Sequence, residues 1–318
     1  MVQLSASTSP IPALTLDEVV RELEHLPSAP RVLPRLKQLL CDGNSSMSEV
    51  VEMVRLDPGI AARVLQFGNS AYFSHGIRCY TVDEAVNRVG YDQIYELVGA
   101  AVASQVLVRP LATYGLDADE LWANSIVCAL AAEDVAAIVG LDRNVAYTIG
   151  LMHSVGMVAI DHWAGRNRPG LRLVSHGFPL EACEEERAAL GFHQAEAGAS
   201  VLRAWAFPPA MFEPVRWQYL PTGTAAHHQL ALVLHVAKWV RNTVLRPERS
   251  IPRPAHTLTN RLRLGSRQLE KLAAAVEARF RLINTRLESE QAGAALQFPG
   301  GERTICGPAA DPPGRIRG

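Results

Sequence analysis

The chain lacks the marks of several large protein classes. Its five cysteines, Cys41, Cys79, Cys128, Cys183 and Cys306, are scattered and never form a CxxC pair, which excludes a zinc ribbon and a disulfide framework. No apolar run is long enough to cross a bilayer: 97–108 is too short, and 126–139 is interrupted by Glu133 and Asp134. The first ten residues have neither the basic start nor the apolar stretch of a signal peptide. The expectation is a soluble, cytoplasmic protein without membrane insertion. There is no G-x-S-x-G elbow, no phosphate-binding P-loop and no internal repeat. Nor does any segment alternate apolar and polar residues for long enough to make a sheet.

What is there is an ordinary globular balance. With 318 residues, 48% hydrophobic and 20% charged, the chain can build a core and has room for about two structural units. The formal charge of −1 hides an asymmetry: from Arg241 onward 14 basic residues face 7 acids, leaving −8 for residues 1–240. Only three of the 31 basic residues, Lys37, Lys238 and Lys271, are lysines. The arginine-rich end suits phosphate, yet no groove-reading motif or aromatic platform accompanies it, so nucleic acid is disfavoured as a partner.

Helix signals run along the chain. Thr15 with Glu18, Ser46 with Glu49 and Thr81 with Glu84 have the spacing of capping boxes. Pro30 and Pro58 stand where a first-turn proline belongs, and Gly90 stands where a helix stops. The three–four spacing of apolar residues predicts long helices at about 92–108, 119–139 and 143–161. Others are expected near 180–190, 194–205, 208–219, 225–245 and 266–288. The fold class is therefore all-α. A disordered N-terminus is expected at 1–15, a first helical bundle at 16–112 and a second helical unit at 113–245. Residues 246–318 read as a linker, one amphipathic helix at 266–287 and a disordered, Pro- and Gly-rich tail from 298.

Several segments in order carry a resemblance. Leu26-Pro27 through Leu40, Leu56-Asp57-Pro58 leading to Asn69-Ser70-Ala71-Tyr72-Phe73, and residues 81–90 come first. Leu121-Trp122, Gly150-Leu151-Met152-His153, and Ala195-Glu196-Ala197-Gly198 followed by Trp205 continue the series. Over about residues 20–240 the chain resembles the bacterial HDOD domain. That resemblance implies an N-terminal helical bundle packed on a subdomain derived from the HD phosphohydrolases, and a regulatory module that has largely lost their chemistry.

An HD hydrolase needs a histidine, a His-Asp pair and a further aspartate converging on a divalent metal that leaves a position for activated water. At the resembling positions this chain has Asn124, then His153-Ser154, then His193-Gln194, and finally Lys238, whose ammonium opposes a cation. One surviving histidine does not make a metal site, so His153 reads as a hydrogen-bonded core or interface histidine. Among the other histidines, only His228 and His235 share a helix face, two turns apart and about 10.5 Å along the axis. Asp161-His162, and His193 with Glu196, have no ligand spacing behind them.

The residues themselves give Asp57 as a cap and Asn69-Ser70 as a tight helix end, with Tyr72 and Phe73 as anchors between the bundles. The candidate pocket or inter-bundle residues are thus Asn69, Ser70, Tyr72, Phe73, Asn124, His153, Ser154 and His193. No catalytic residue, metal or cofactor is assigned. The leading expectation is a non-catalytic regulatory protein of signal transduction. It would act by binding a signalling protein or a small-molecule or nucleotide signal, with a homodimer as a further option. The competing expectation is a metal-dependent phosphohydrolase of a nucleotide or second messenger with an unconventional ligand set.

Overall fold

The computed structural model describes residues 15–23, 32–41, 44–94, 96–97, 110–173, 179–221 and 227–297. Pro30, most of the helix expected at 92–108 and the tail from 298 lie outside them. Among the described residues there is no strand, only an isolated antiparallel bridge between Leu111 and Leu116.

The first half consists of α1 (Leu16–Glu22), α2 (Leu33–Cys41), α3 (Met47–Arg55), α4 (Pro58–Asn69), α5 (Ala71–Ser74) and α6 (Val82–Val89). Local chemistry sets their ends. Thr15–Glu18 and Ser46–Glu49 close complete capping boxes. Asp57 accepts the Ile60 N–H at 2.9 Å, with Pro58 in the first turn. The third expected box is half made: Thr81 accepts the Glu84 N–H, but the Glu84 carboxylate reaches one residue further back, to the Tyr80 N–H at 2.7 Å. Gly90 ends α6 at φ 83°, a backbone conformation that glycine adopts at little cost.

The second half consists of α7 (Ala118–Val139), α8 (Arg143–Met152), α9 (Val155–Asn167), α10 (Pro179–Leu190), α11 (Gln194–Ala204), α12 (Pro209–Arg216) and α13 (His228–Leu245). α7 is long and apolar enough to cross a membrane by composition, but 67% of that window is buried, and α8, α13 and the last helix pack around it. The single helix expected at 143–161 is two. Ser154, at φ −100° and ψ 6°, leaves helical geometry, so α8 stops at Met152 and α9 restarts at Val155.

Two glycines let backbones meet around that break. A Cβ on Gly150 would lie 2.7 Å from the Ala129 Cα in α7, and one on Gly156 would lie 1.9 Å from the Gln194 carbonyl oxygen in α11. His153 thereby lies between two close approaches, α8 on α7 and α9 on α11.

The C-terminal region is more ordered than a linker and a helix. α14 (His256–Arg261) occupies part of the expected linker, and α15 (Ser266–Gln297) extends well past residue 287. α15 packs on α7 and α13 and buries Leu269, Leu272, Val276 and Leu287. The halves are interleaved as well, since α1 packs on α9 and α11.

Replacing Gly156 by alanine should push α9 from α11 and lower stability by about 1–3 kcal/mol or more, the usual range for overpacking. Gly170→Ala, where nothing lies within 4 Å of the added carbon, should change it by less than about 0.5 kcal/mol. Urea midpoints check both, and equal midpoints would show that the close approach is absent.

Candidate functional site

His153 ends α8 with its side chain only 1% exposed. Its Nδ1–H donates to the Gly150 carbonyl at 2.7 Å, and its Nε2 accepts from Arg241 Nη1 at 2.7 Å. These two bonds fix the neutral tautomer. Burial pushes the imidazole well below its ordinary pKa, and the Arg241 and Lys238 charges push it further. The lone pair that would ligate a metal is already occupied by a guanidinium.

The positions around it match. Ser154 Oγ lies 3.3 Å from Ser125 Oγ, and Asn124 is turned onto its own helix, donating to the Glu120 carbonyl at 2.7 Å. Lys238, 7% exposed, donates to Gln218 Oε1 at 2.9 Å and sits 3.3 Å from the centroid of the Tyr219 ring. Burial, then the Arg241 charge, lowers its pKa well below that of an ordinary lysine. Among the described residues no three His, Cys, Asp or Glu side chains gather within metal-binding reach. A divalent ion does not fit this donor set: one engaged imidazole, hydroxyls and two basic side chains.

Gln218 organises the centre. Its Nε2 donates to the His153 carbonyl at 3.1 Å and the Val215 carbonyl at 3.0 Å, and its own carbonyl oxygen lies 3.1 Å from His235 Nδ1. Beside it, the Glu186 carboxyl accepts the Tyr114 hydroxyl at 2.9 Å and the Gln194 N–H at 2.7 Å. Burial outweighs these bonds and pushes its pKa up to about 7. Asp161 accepts the Thr113 N–H at 2.8 Å, which holds a loop.

The other candidates lie elsewhere. Asn69, at the end of α4, clasps the chain on its return, donating to the Cys79 carbonyl at 3.2 Å and accepting the Cys79 N–H at 2.8 Å. Ser70 Oγ donates to the Phe67 carbonyl at 2.7 Å. Tyr72 is not an inter-bundle anchor: on the one-turn α5 it is 80% exposed. It meets Phe73 edge-on at 4.8 Å, Phe73 lies 6.5 Å from Phe67, and Ile77 is 68% exposed on the following segment. His193 is the N-cap of α11, its Nδ1 accepting the Glu196 N–H at 3.3 Å.

Sequence reading missed Arg241, Gln218 and Tyr219. The available signal for Arg241 was its place three residues after Lys238, on the same face of an otherwise apolar helix.

This arrangement is that of an HD-like helical domain with a buried, hydrogen-bonded polar centre around His153. The family model of the HDOD domain matches residues 26–221, and the chain belongs to that family. An uncharacterized protein of Treponema pallidum (strain Nichols) is 22% identical over 222 residues, 69% of this chain and 41% of that protein. The chain thus spans about two fifths of the length of that curated relative. The MmoQ response regulator of Methylococcus capsulatus has a similar fold, with a TM-score of 0.61, 19% identity and coverage of 79% of this chain and 98% of that one. A virulence factor of Campylobacter jejuni matches at TM-score 0.61 and 15% identity, covering 83% of this chain and 96% of that one.

Glu186 gives a test of the buried polar centre. Its folded pKa lies above the unfolded value near 4.5, so between those values the folded state holds the extra proton and stability falls as pH rises to about 7. Glu186→Gln mimics the protonated acid. Relative to wild type it should gain stability on the order of 2 kcal/mol between pH 4.5 and pH 8. Chemical denaturation at both pH values reads the difference, and a pH-independent offset would refute the assignment.

Proposed function

We propose that this HDOD protein is a non-catalytic regulator in signal transduction that works by binding a protein or small ligand. The observation that carries the reading is the Arg241 guanidinium on His153 Nε2 at 2.7 Å. One lone pair cannot serve an N–H and a metal together, so the group that would activate water in a hydrolase has no place to sit. The fold shared with a solved response regulator supports the signalling part of the proposal.

A protein partner is favoured by the surface. Four of the exposed large apolar side chains among the described residues, Phe67, Tyr72, Ile77 and Tyr80, fall within residues 67–80. Clustered exposed apolar surface of this kind marks interaction sites. The same segment touches both halves, since Arg78 Nη1 donates to the Asn69 carbonyl at 2.9 Å and to the Ala206 carbonyl at 3.0 Å. A partner seated there favours whichever arrangement of the halves it binds more tightly.

Purified protein should carry no stoichiometric Mn, Fe or Zn and release no phosphate from nucleotides with added Mn²⁺ or Mg²⁺. Stoichiometric metal that disappears in His153→Ala would overturn the proposal. Tyr72→Ser with Ile77→Ser should abolish partner capture from the native cytosol while leaving the circular dichroism spectrum unchanged.

A further inference from the structure

A cavity of about 100 Å³ opens to solvent where the end of α10, the start of α11 and the segment after α12 meet. Its walls are aromatic and charged, with two arginines, Arg187 and Arg216, and one carboxylate, Glu196. Trp217 and Tyr219 line it, and the His193 ring stands edge-on to Tyr219 with centroids 5.9 Å apart. Behind the Tyr219 ring lies the Lys238 amine, 3.3 Å from the ring centroid.

Two polar groups on this cavity are unspent. His193 is 8% exposed and its Nδ1 accepts the Glu196 N–H at 3.3 Å, which leaves the proton on Nε2. Among the described residues nothing accepts that proton. Arg216 is exposed, with its guanidinium 5.7 Å from the Trp217 ring centroid. Among the described residues no carboxylate lies within ion-pair distance of it. The other lining arginine, Arg187, is paired with Glu196 at 3.2 Å. The α11 N-terminus at the same place adds a partial positive charge.

Size narrows the ligand. A cavity that holds benzene measures about 150 Å³, so this one, at about 100 Å³, admits an oxyanion head, and an attached ring lies at its mouth. The rest of a larger molecule would lie at the mouth, where Leu220 is 54% exposed.

We propose that this cavity recognises a small ring-bearing oxyanion, a phosphate monoester or carboxylate. The head group lies between His193 Nε2–H and the Arg216 guanidinium, and the ring lies against Trp217. The assignment rests on the regulatory reading and deepens it by placing the small-ligand site away from the closed His153 centre.

The full-length protein is titrated by isothermal calorimetry with adenosine monophosphate, benzoate and inorganic phosphate, each up to about 10 mM. Saturable binding of either organic probe supports the site, and the stronger of the two identifies phosphate or carboxylate as the head group. His193→Asn keeps a favoured N-cap and removes the ring donor, so it should leave Tm unchanged and weaken binding roughly tenfold. Arg216→Gln, at an exposed position, should weaken it by a similar factor, whereas Arg172→Gln should not. No saturation with any probe, or affinity unchanged in both His193→Asn and Arg216→Gln, overturns the site. Those results leave the regulatory reading standing or falling on the metal, phosphate-release and partner-capture measurements.

Discussion

Glu133 is the charge on which three parts of the molecule converge. It is 6% exposed in the middle of α7, accepting Arg55 Nη2 from α3 at 3.0 Å and Arg279 Nη2 from α15 at 2.6 Å. A buried carboxylate needs such partners, and removing one would leave charge in a poorly solvated place. Arg55 also pairs with Asp83 in α6 at 3.2 Å and lies 4.1 Å from the Tyr147 ring centroid. The last carbonyls of a helix have no partner within it. In α3 they are met from the second half: the Tyr147 hydroxyl donates to Arg55 and the Trp122 indole to Leu56, both at 2.9 Å. Trp122 in turn packs on Phe280 of α15, centroids 5.7 Å apart. The end of α3 is therefore complete only when the second half and the C-terminal helix are docked.

The same logic of filled valences governs the chemistry. In a metal-dependent HD site, charge is supplied by a bound cation and the donors are left free for it. Here the cation is covalently part of the chain, and each donor is already used: imidazole by guanidinium, hydroxyl by hydroxyl, amide by its own helix. Lys238 adds a second basic group with no carboxylate within ion-pair distance among the described residues, satisfied by an amide oxygen and a ring face. Such a centre is buried and polar, with its imidazole and hydroxyls committed to partners within the chain.

Much of this was legible where chemistry is local. Caps at Thr15, Ser46 and Asp57, the stop at Gly90 and the order of the family segments require only neighbours in sequence. The loss of the carboxylate beside His153 was equally visible, since Ser154 stands in its place. What could not be read was tertiary. The break between α8 and α9 carries no proline at its hinge; it arises where Gly150 and Gly156 let α7 and α11 approach from either side. Tyr72 is an aromatic beside a helix end, a description that fits a core anchor as well as a surface ring. The arginine on His153 comes from 88 residues away, and an arginine on an apolar helix does not announce which lone pair it will meet. The linker expected after 245 hid α14 because His256–Arg261 is short and polar, without an apolar period.

The proposed regulation requires the surfaces and the centre to share structure, and they do at the two ends of α12. At one end Ala206, at φ 60°, holds a left-handed turn between α11 and α12, and its carbonyl is bound by Arg78 from the exposed aromatic segment. At the other end Gln218 and Tyr219 are consecutive residues with different duties. Gln218 is fully buried and tied to His153 and Lys238, while Tyr219 lines the open cavity and presents a ring face to the same lysine. A shift of α12 therefore cannot be confined to one of these places: it stretches the Arg78 contact, the Gln218 amide bonds and the lysine–ring contact together. Such contacts favour discrete arrangements over gradual deformation, because a packed core resists continuous strain. α12 is the element that links the cavity lined by Tyr219 to the exposed segment around Tyr72.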